Sequence, residues 1–189
     1  MPSLPISQLP ELTAITMNSE FAVAESGTTY KVKGSFLGSG KNYISAYETS
    51  TISGFTINSP TPISASTVAE SLGITISNGT RFVVSSGGTY NFQFSLQLVK
   101  TQGGSSEDIF LWFRINNNDV PWSNTKITLA NNSIYTVAAW NFVTTLNTND
   151  YIELICSVTD SHIILVSEPA NTSPTRPGIP SVIISLTKI

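Results

Sequence analysis

The chain has 189 residues, of which 40% are hydrophobic and only 11% charged, against about 25% charged in an ordinary soluble protein. Its net charge is −3 and its nine Lys and Arg are scattered singly, so no basic stripe exists to follow a phosphate backbone or an anionic membrane, which argues against nucleic acid and membrane as partners. One Cys and one His can neither form an internal disulfide nor complete a structural zinc site, and neither a metal nor any other cofactor is expected.

Residues 1–19 carry Pro2, Pro5 and Pro10 among the spaced apolar side chains Leu4, Ile6, Leu9, Leu12 and Ile15. The pattern suits an extended arm that gains order by lying on another surface, or a free tail. The opening lacks the charged start and continuous apolar run of a secretory signal, and no later run reaches the roughly 18 residues of a membrane span. Residues 20–35 read as two short strands around a Ser26-Gly27 turn, a hairpin too small to stand alone. Glycines 34, 38 and 40 then punctuate a linker, and a boundary near Gly40 divides an arm and hairpin (1–40) from a main domain (41–189).

From Lys41 onward the sequence is a succession of predicted strands: YISAYET, GFTI, GITI, TRFVV, TYNFQFSLQLV, DIFLWFRI, KITLA, YTVAAWNFVTTL, YIELICSV, HIILVSE and PSVIISLTKI. Turn signals such as SNGT, SSGGT, QGGSS, NNND and NTND recur about every 8–12 residues, the spacing of an antiparallel sandwich or barrel. No useful helix is predicted, and the fold class is all-β.

The strands differ in how dry they are. Tyr90, Phe92, Phe94, Leu96 and Leu98 point one way and Asn91, Gln93, Ser95 and Gln97 the other, giving one dry and one polar face. In the next strand Ile109, Leu111, Phe113 and Ile115 fill one face, while Phe110 and Trp112 occupy the other. Val137, Ala139 and Val143 likewise oppose Ala138, Trp140 and Phe142. A wet aromatic forgoes about 1.5–3 kcal/mol of burial, so these second faces predict a homo-oligomer, with Phe110, Trp112, Trp140 and Phe142 at its interface. The alternative cover is the chain's own hairpin or loops.

Catalytic chemistry has little to work with. Any Cys-His or Ser-His arrangement must use His162, and Cys156 shares its parity with the apolar Ile152, Leu154 and Val158, the setting of an inert buried thiol. Glu107-Asp108 and Asp150 with Glu153 lack the ligand density of a calcium site and the spacing of a glycosidase pair, and Asp119 and Asp150 read as turn braces. Asn78, Asn131 and Asn171 open N-x-S/T sequons in predicted turns. Trp122, following Pro121 in a turn, cannot easily reach the core; it would stack on a sugar, with Asn117 and Asp119 beside it, or rest on a neighbouring subunit.

The stretches GITISNGTRFVVSSGGTYNFQFSLQL, FLWFRINNNDVP and VAAWNFVTTLNTNDYIELICS resemble, over residues 72–189, the tumour-necrosis-factor/C1q-type jelly roll, whose members assemble into compact trimers. WFRINNNDVPWSNTKITL, VAAWNFVTTLNTNDYIEL and PANTSPTRPGIPSVIISLTKI are similar to a β-sandwich module in structural proteins of tailed phages and large algal DNA viruses, and residues 6–35 resemble N-terminal pieces that precede such virion-attached modules. The resemblance implies a single jelly roll in a trimer, with a pentamer as the variant. It implies a non-enzymatic capsid decoration, head-fibre or vertex protein, made in the host cytoplasm and displayed on the virion among other capsid or fibre proteins. Leu4, Ile6, Leu9, Leu12, Ile15 and Phe21 would be its anchoring residues. The alternative is a receptor- or glycan-binding knob using Trp122, Asn117 and Asp119 on a host surface glycan; a polysaccharide hydrolase lacks a convincing acid pair.

Overall fold

The computed structural model describes residues 19–33, 42–130 and 134–189. The chain divides into two units, 1–40 and 41–189. Leu4, Ile6, Leu9, Leu12 and Ile15 of the arm and Asn131 of the second sequon lie outside the described residues.

In the first unit β1 (Glu20–Glu25) and β2 (Thr28–Lys33) form an antiparallel hairpin. Its two turn residues, Ser26 and Gly27, have φ of 50° and 78°, the left-handed pair whose twist matches that of the flanking strands. The register sets Phe21 opposite Val32 and Val23 opposite Tyr30, so the apolar side chains share a face. Val23 and Tyr30 are exposed on it. On the other face Lys31 reaches Glu20 at 2.7 Å.

The second unit contains β3 (Tyr43–Glu48), β4 (Thr61–Pro62), β5 (Thr67–Leu72), β6 (Ile74–Ser77), β7 (Arg81–Val84), β8 (Gly88–Lys100), β9 (Glu107–Ile115) and β10 (Asn118–Asp119). It continues with β11 (Thr125–Leu129), β12 (Thr136–Leu146), β13 (Tyr151–Val158), β14 (Ile163–Leu165), β15 (Asn171–Thr172), β16 (Thr175–Arg176) and β17 (Val182–Lys188). One sheet has the order β10-β9-β13-β7-β6, with β11 on β9 and β4 on β13. The other has the order β12-β8-β17-β3-β5, with β14 on β8, and β15 and β16 form a small separate hairpin. The two large sheets pack as an antiparallel β-sandwich.

Alternation in β8 decides which face is inside: Tyr90, Phe92, Phe94, Leu96 and Leu98 are buried, while the polar residues between them are not. Facing them are Ile109, Leu111 and Phe113 of β9 and Ile152, Leu154, Cys156 and Val158 of β13, all buried. Aromatic rings stitch the layers: Phe92 meets Phe82 and Phe113 edge-on, with centroids 5.7 and 5.1 Å away, an arrangement favoured by the ring quadrupole.

One carboxylate braces two turns. Asp150 accepts the Asn147 N–H and the Asn116 side-chain amide, each at 2.7 Å, and Asn116 in turn accepts the Tyr151 N–H at 3.0 Å. The turn brace expected at Asp150 therefore joins the β9–β10 and β12–β13 connections. The Asn147 N–H, with the Asn116 amide assisting against partial burial, holds its carboxyl below the usual carboxylate range. A depressed folded-state value means that the contribution is full above the unfolded value of about 3.9 and disappears as pH falls through the folded one. Asp150→Asn is therefore expected to shrink the gap in urea midpoint between pH 7 and pH 3; an unchanged gap would remove Asp150 from the acid response.

Two expectations differ from the structure. Residues 54–57 form no ladder: Gly54 turns the chain at φ 78°, Phe55 plugs the core, and Ile57 makes a single bridge to Val158. Conversely β5 carries no readable alternation, because none of its residues is buried; it is held by backbone pairing to β3 across an irregularity at Ser45/Ala46.

Candidate functional site

Among the described residues of the second unit, four surfaces carry side chains that the core does not use. The first is the edge formed by β12. Its inward set begins with Ala138, Trp140 and Phe142; Trp140 packs edge-on against Phe94 with centroids 4.4 Å apart, and Phe142 stacks on Phe113 at 4.6 Å. Both rings are only partly covered, because β12 is the last strand of its sheet. Its outward set is exposed, with Val137 at 58% and Val143 at 49%. Thus two of the residues expected at a subunit interface, Trp140 and Phe142, already have partners inside the chain, and the wet apolar side chains of this strand, Val137, Ala139 and Val143, lie on the opposite face beside Asn141 and Thr145.

The second surface is the outside of the β9 sheet, where Phe110 and Trp112 are half-buried. Register sets Trp112 beside Ile155, and Ile155 beside Pro62 of β4. Ile155 is fully buried although it points outward, so the row beside Trp112 is partly covered within the chain. Further along, the row turns ionic. Glu153, 2% exposed, accepts from Thr80 Oγ1 at 2.8 Å and from Arg81 Nε at 3.4 Å, while the Arg81 guanidinium lies 4.5 Å from the Tyr151 ring centre. Sequence reasoning missed the Arg81–Glu153 pair; its members are separated in the chain and only the β7–β13 ladder brings them together.

The third surface is the loop between β10 and β11. Trp122 is 102% exposed with φ of 63°. A bulky residue in the left-handed region is an outlier costing about 1–3 kcal/mol, and a wet indole forgoes burial as well. Both costs fall on this one residue. The loop is fixed beneath it: Ser123 is buried, donates its hydroxyl to Val120 O at 2.8 Å and accepts the Phe113 N–H at 3.1 Å.

The expected companions of Trp122 are partly engaged. Asp119 Oδ1 accepts Arg114 Nε at 2.7 Å and Trp112 Nε1 at 2.8 Å, and these bonds, the Arg114 one above all, hold its carboxyl below the usual range. Asn117 Oδ1 accepts from Arg81 at 3.3 Å.

A groove of about 590 Å³ lies elsewhere, on the outside of the β3–β17 pairing. Tyr47 and Ile183 face each other in that ladder, and Pro169, Ile179 and Pro180 wall it, with Glu168 at its rim. Glu168 is held by Arg176. The size falls in the range of small-ligand sites. No sequence signal pointed here, because its walls come from separate turns.

Scanned against protein-family models and against curated proteins, the chain matches none of them. Its reading therefore rests on its own residues.

The candidate nucleophile and base sit apart in character. Cys156 is fully buried, and burial pushes its thiol up to about 12, far from the thiolate needed for attack. His162 lies at the surface and bonds through Nδ1 to Asp160 at 2.8 Å. Asp160 also lies 3.7 Å from the buried Lys100 ammonium, which donates to the Ser105 carbonyl; this cluster ties down the connections at residues 101–106 and 159–162. Among the described residues no three His, Cys, Asp or Glu side chains group to hold a metal ion.

Proposed function

We propose that this chain is a non-enzymatic structural protein that assembles with copies of itself and attaches to a larger particle, as a virion decoration, head-fibre or vertex protein does. The observation that carries the reading is the β12 edge. It is eleven residues long, and TVAAWNFVTTL contains no Asp, Glu, Lys, Arg or Pro. Proteins blunt free edges with charges, prolines or short strands, because an unprotected edge pairs with other chains. Here none of those devices is present and the outward row carries Val137, Ala139 and Val143 beside only the uncharged Asn141 and Thr145, so a sister subunit is its natural cover.

The strand order supports the jelly-roll reading: β12-β8-β17-β3 stacks over β11-β9-β13-β7, and the connections β7–β8, β8–β9, β11–β12 and β12–β13 each cross between layers, as Greek-key connections do. The expected copy number is three, with five as the variant. The exposed Val23–Tyr30 face of the hairpin, with Phe21 opposite Val32, supports attachment through residues 1–40, since a lone hairpin is marginal in water.

The native mass of the full-length chain, measured beside one beginning at Lys41, tests the assembly. One oligomer in both supports the reading. A monomer in both overturns it, and a monomer in the shortened chain alone moves the assembly contact into the first 40 residues.

A further inference from the structure

We propose that the β10–β11 loop is a carbohydrate site in which the Trp122 indole stacks on the apolar face of a neutral sugar while neighbouring amides and the Asp119 carboxylate hydrogen-bond its hydroxyls. The proposal is independent of the assembly reading, because β12 contributes nothing to it.

Three observations carry it. Trp122 is fully exposed on a backbone that disfavours it, at φ 63°, yet Ser123 and Val120 lock that backbone onto β9. The backbone that carries the indole is thus fixed before any ligand arrives. Second, the surrounding loop is polar without being charged: Asn117, Asn118 and Asn124 are exposed, Asn116 being spent on the Asp150 brace, and the one acid, Asp119, is neutralised by Arg114. A protein partner at a lone tryptophan would call for an apolar surround, whereas amides offer both donors and acceptors to hydroxyls. Third, Asp119 is oriented without being used up. Both of its bonds end on Oδ1, leaving Oδ2 as a fixed acceptor. The side chain of Asn124 and the Trp122 ring N–H have no hydrogen-bond partner among the described residues. An ionised sugar would find no free cation on this loop, which is why the class is neutral.

The test uses the full chain as purified, labelled and applied to a glycan array with separate neutral and acidic sets, together with native mass. Binding to neutral glycans is expected, with Trp122→Ala weakening it on the order of thirtyfold, Trp122→Tyr retaining part of it, and the native mass unchanged in both. Because position 122 is exposed and left-handed, Trp122→Gly is expected to keep the unfolding midpoint or raise it while losing binding, which separates ligand loss from misfolding. Acrylamide quenching of the exposed tryptophan is expected to fall when the best neutral glycan on the array is added. Absence of array binding by the unaltered chain, binding restricted to acidic glycans, or a Trp122→Ala variant that binds as before each overturns the proposal. A change of native mass in Trp122→Ala with binding intact would instead make Trp122 a subunit contact.

Discussion

Replacing Phe92 by Ala is expected to lower the unfolding free energy of the 41–189 unit by about 3–5 kcal/mol, a large part of the 5–15 kcal/mol or so that holds an ordinary domain together. The ring is fully buried and is the common member of two edge-on pairs, with Phe82 on β7 and Phe113 on β9. Its loss leaves a cavity between the sheets and ends both ring contacts. The neighbours cannot close over the gap, because Phe113 is itself held by Phe142 stacking at 4.6 Å. Guanidinium unfolding followed by far-ultraviolet circular dichroism reads the result. A loss below about 1 kcal/mol would mean that the layers part and close more freely than close packing allows.

The second large effect concerns association. Val137→Lys combined with Val143→Lys is expected to turn the assembled protein into a monomer while leaving the monomer's own stability within about 0.5 kcal/mol, since both positions are exposed in the single chain. Each substitution withdraws apolar burial worth about 1.5 kcal/mol or more and sets an ammonium against a dry surface, so association is expected to weaken on the order of a hundredfold or more. Native mass across a dilution series measures it. Phe110→Asp is the matched control on the other sheet: if that variant dissociates and the lysine pair does not, the outer face of β9 carries the contact.

How far the sequence could be read follows from what each residue contacts. The inward row of β8 was legible because burial on one face imposes a period of two, and Tyr90, Phe92, Phe94, Leu96 and Leu98 keep it without a break. The Ser26-Gly27 turn and the Asp150 brace were legible because turn chemistry is local. β5 was not, since a strand with no buried residue has only its backbone to identify it, and periodicity does not report on hydrogen bonds. The direction of the second faces was half legible. Parity separated Val137 and Val143 from Trp140 and Phe142, but assigning one set to the inside requires knowing that Phe94 and Phe113 wait there. Trp122 stood out from its place after a proline, whereas the left-handed backbone beneath it and the engagement of Asp119 by Trp112 and Arg114 depend on the β9–β10 pairing.

The placement of β3 beside β17 also sets how the second unit carries force. Tyr43 pairs with Thr187 and the Lys188 N–H bonds to Asn42 O at 2.8 Å, so residues 42 and 188 sit at the same pole, while β8 runs from Tyr90 beside Lys188 to Lys100 at the other. Tension applied between those two ends would open the β3–β17 ladder one hydrogen bond at a time, as a zipper opens. Tension between residue 42 and the far pole would load the same ladder in shear, with all its bonds strained together. A unit tethered through its N-terminal side is thus tough against tugging on its distal loops and weak against tugging at its last strand, and any cargo joined after Ile189 would hang next to the tether, not out at the tip.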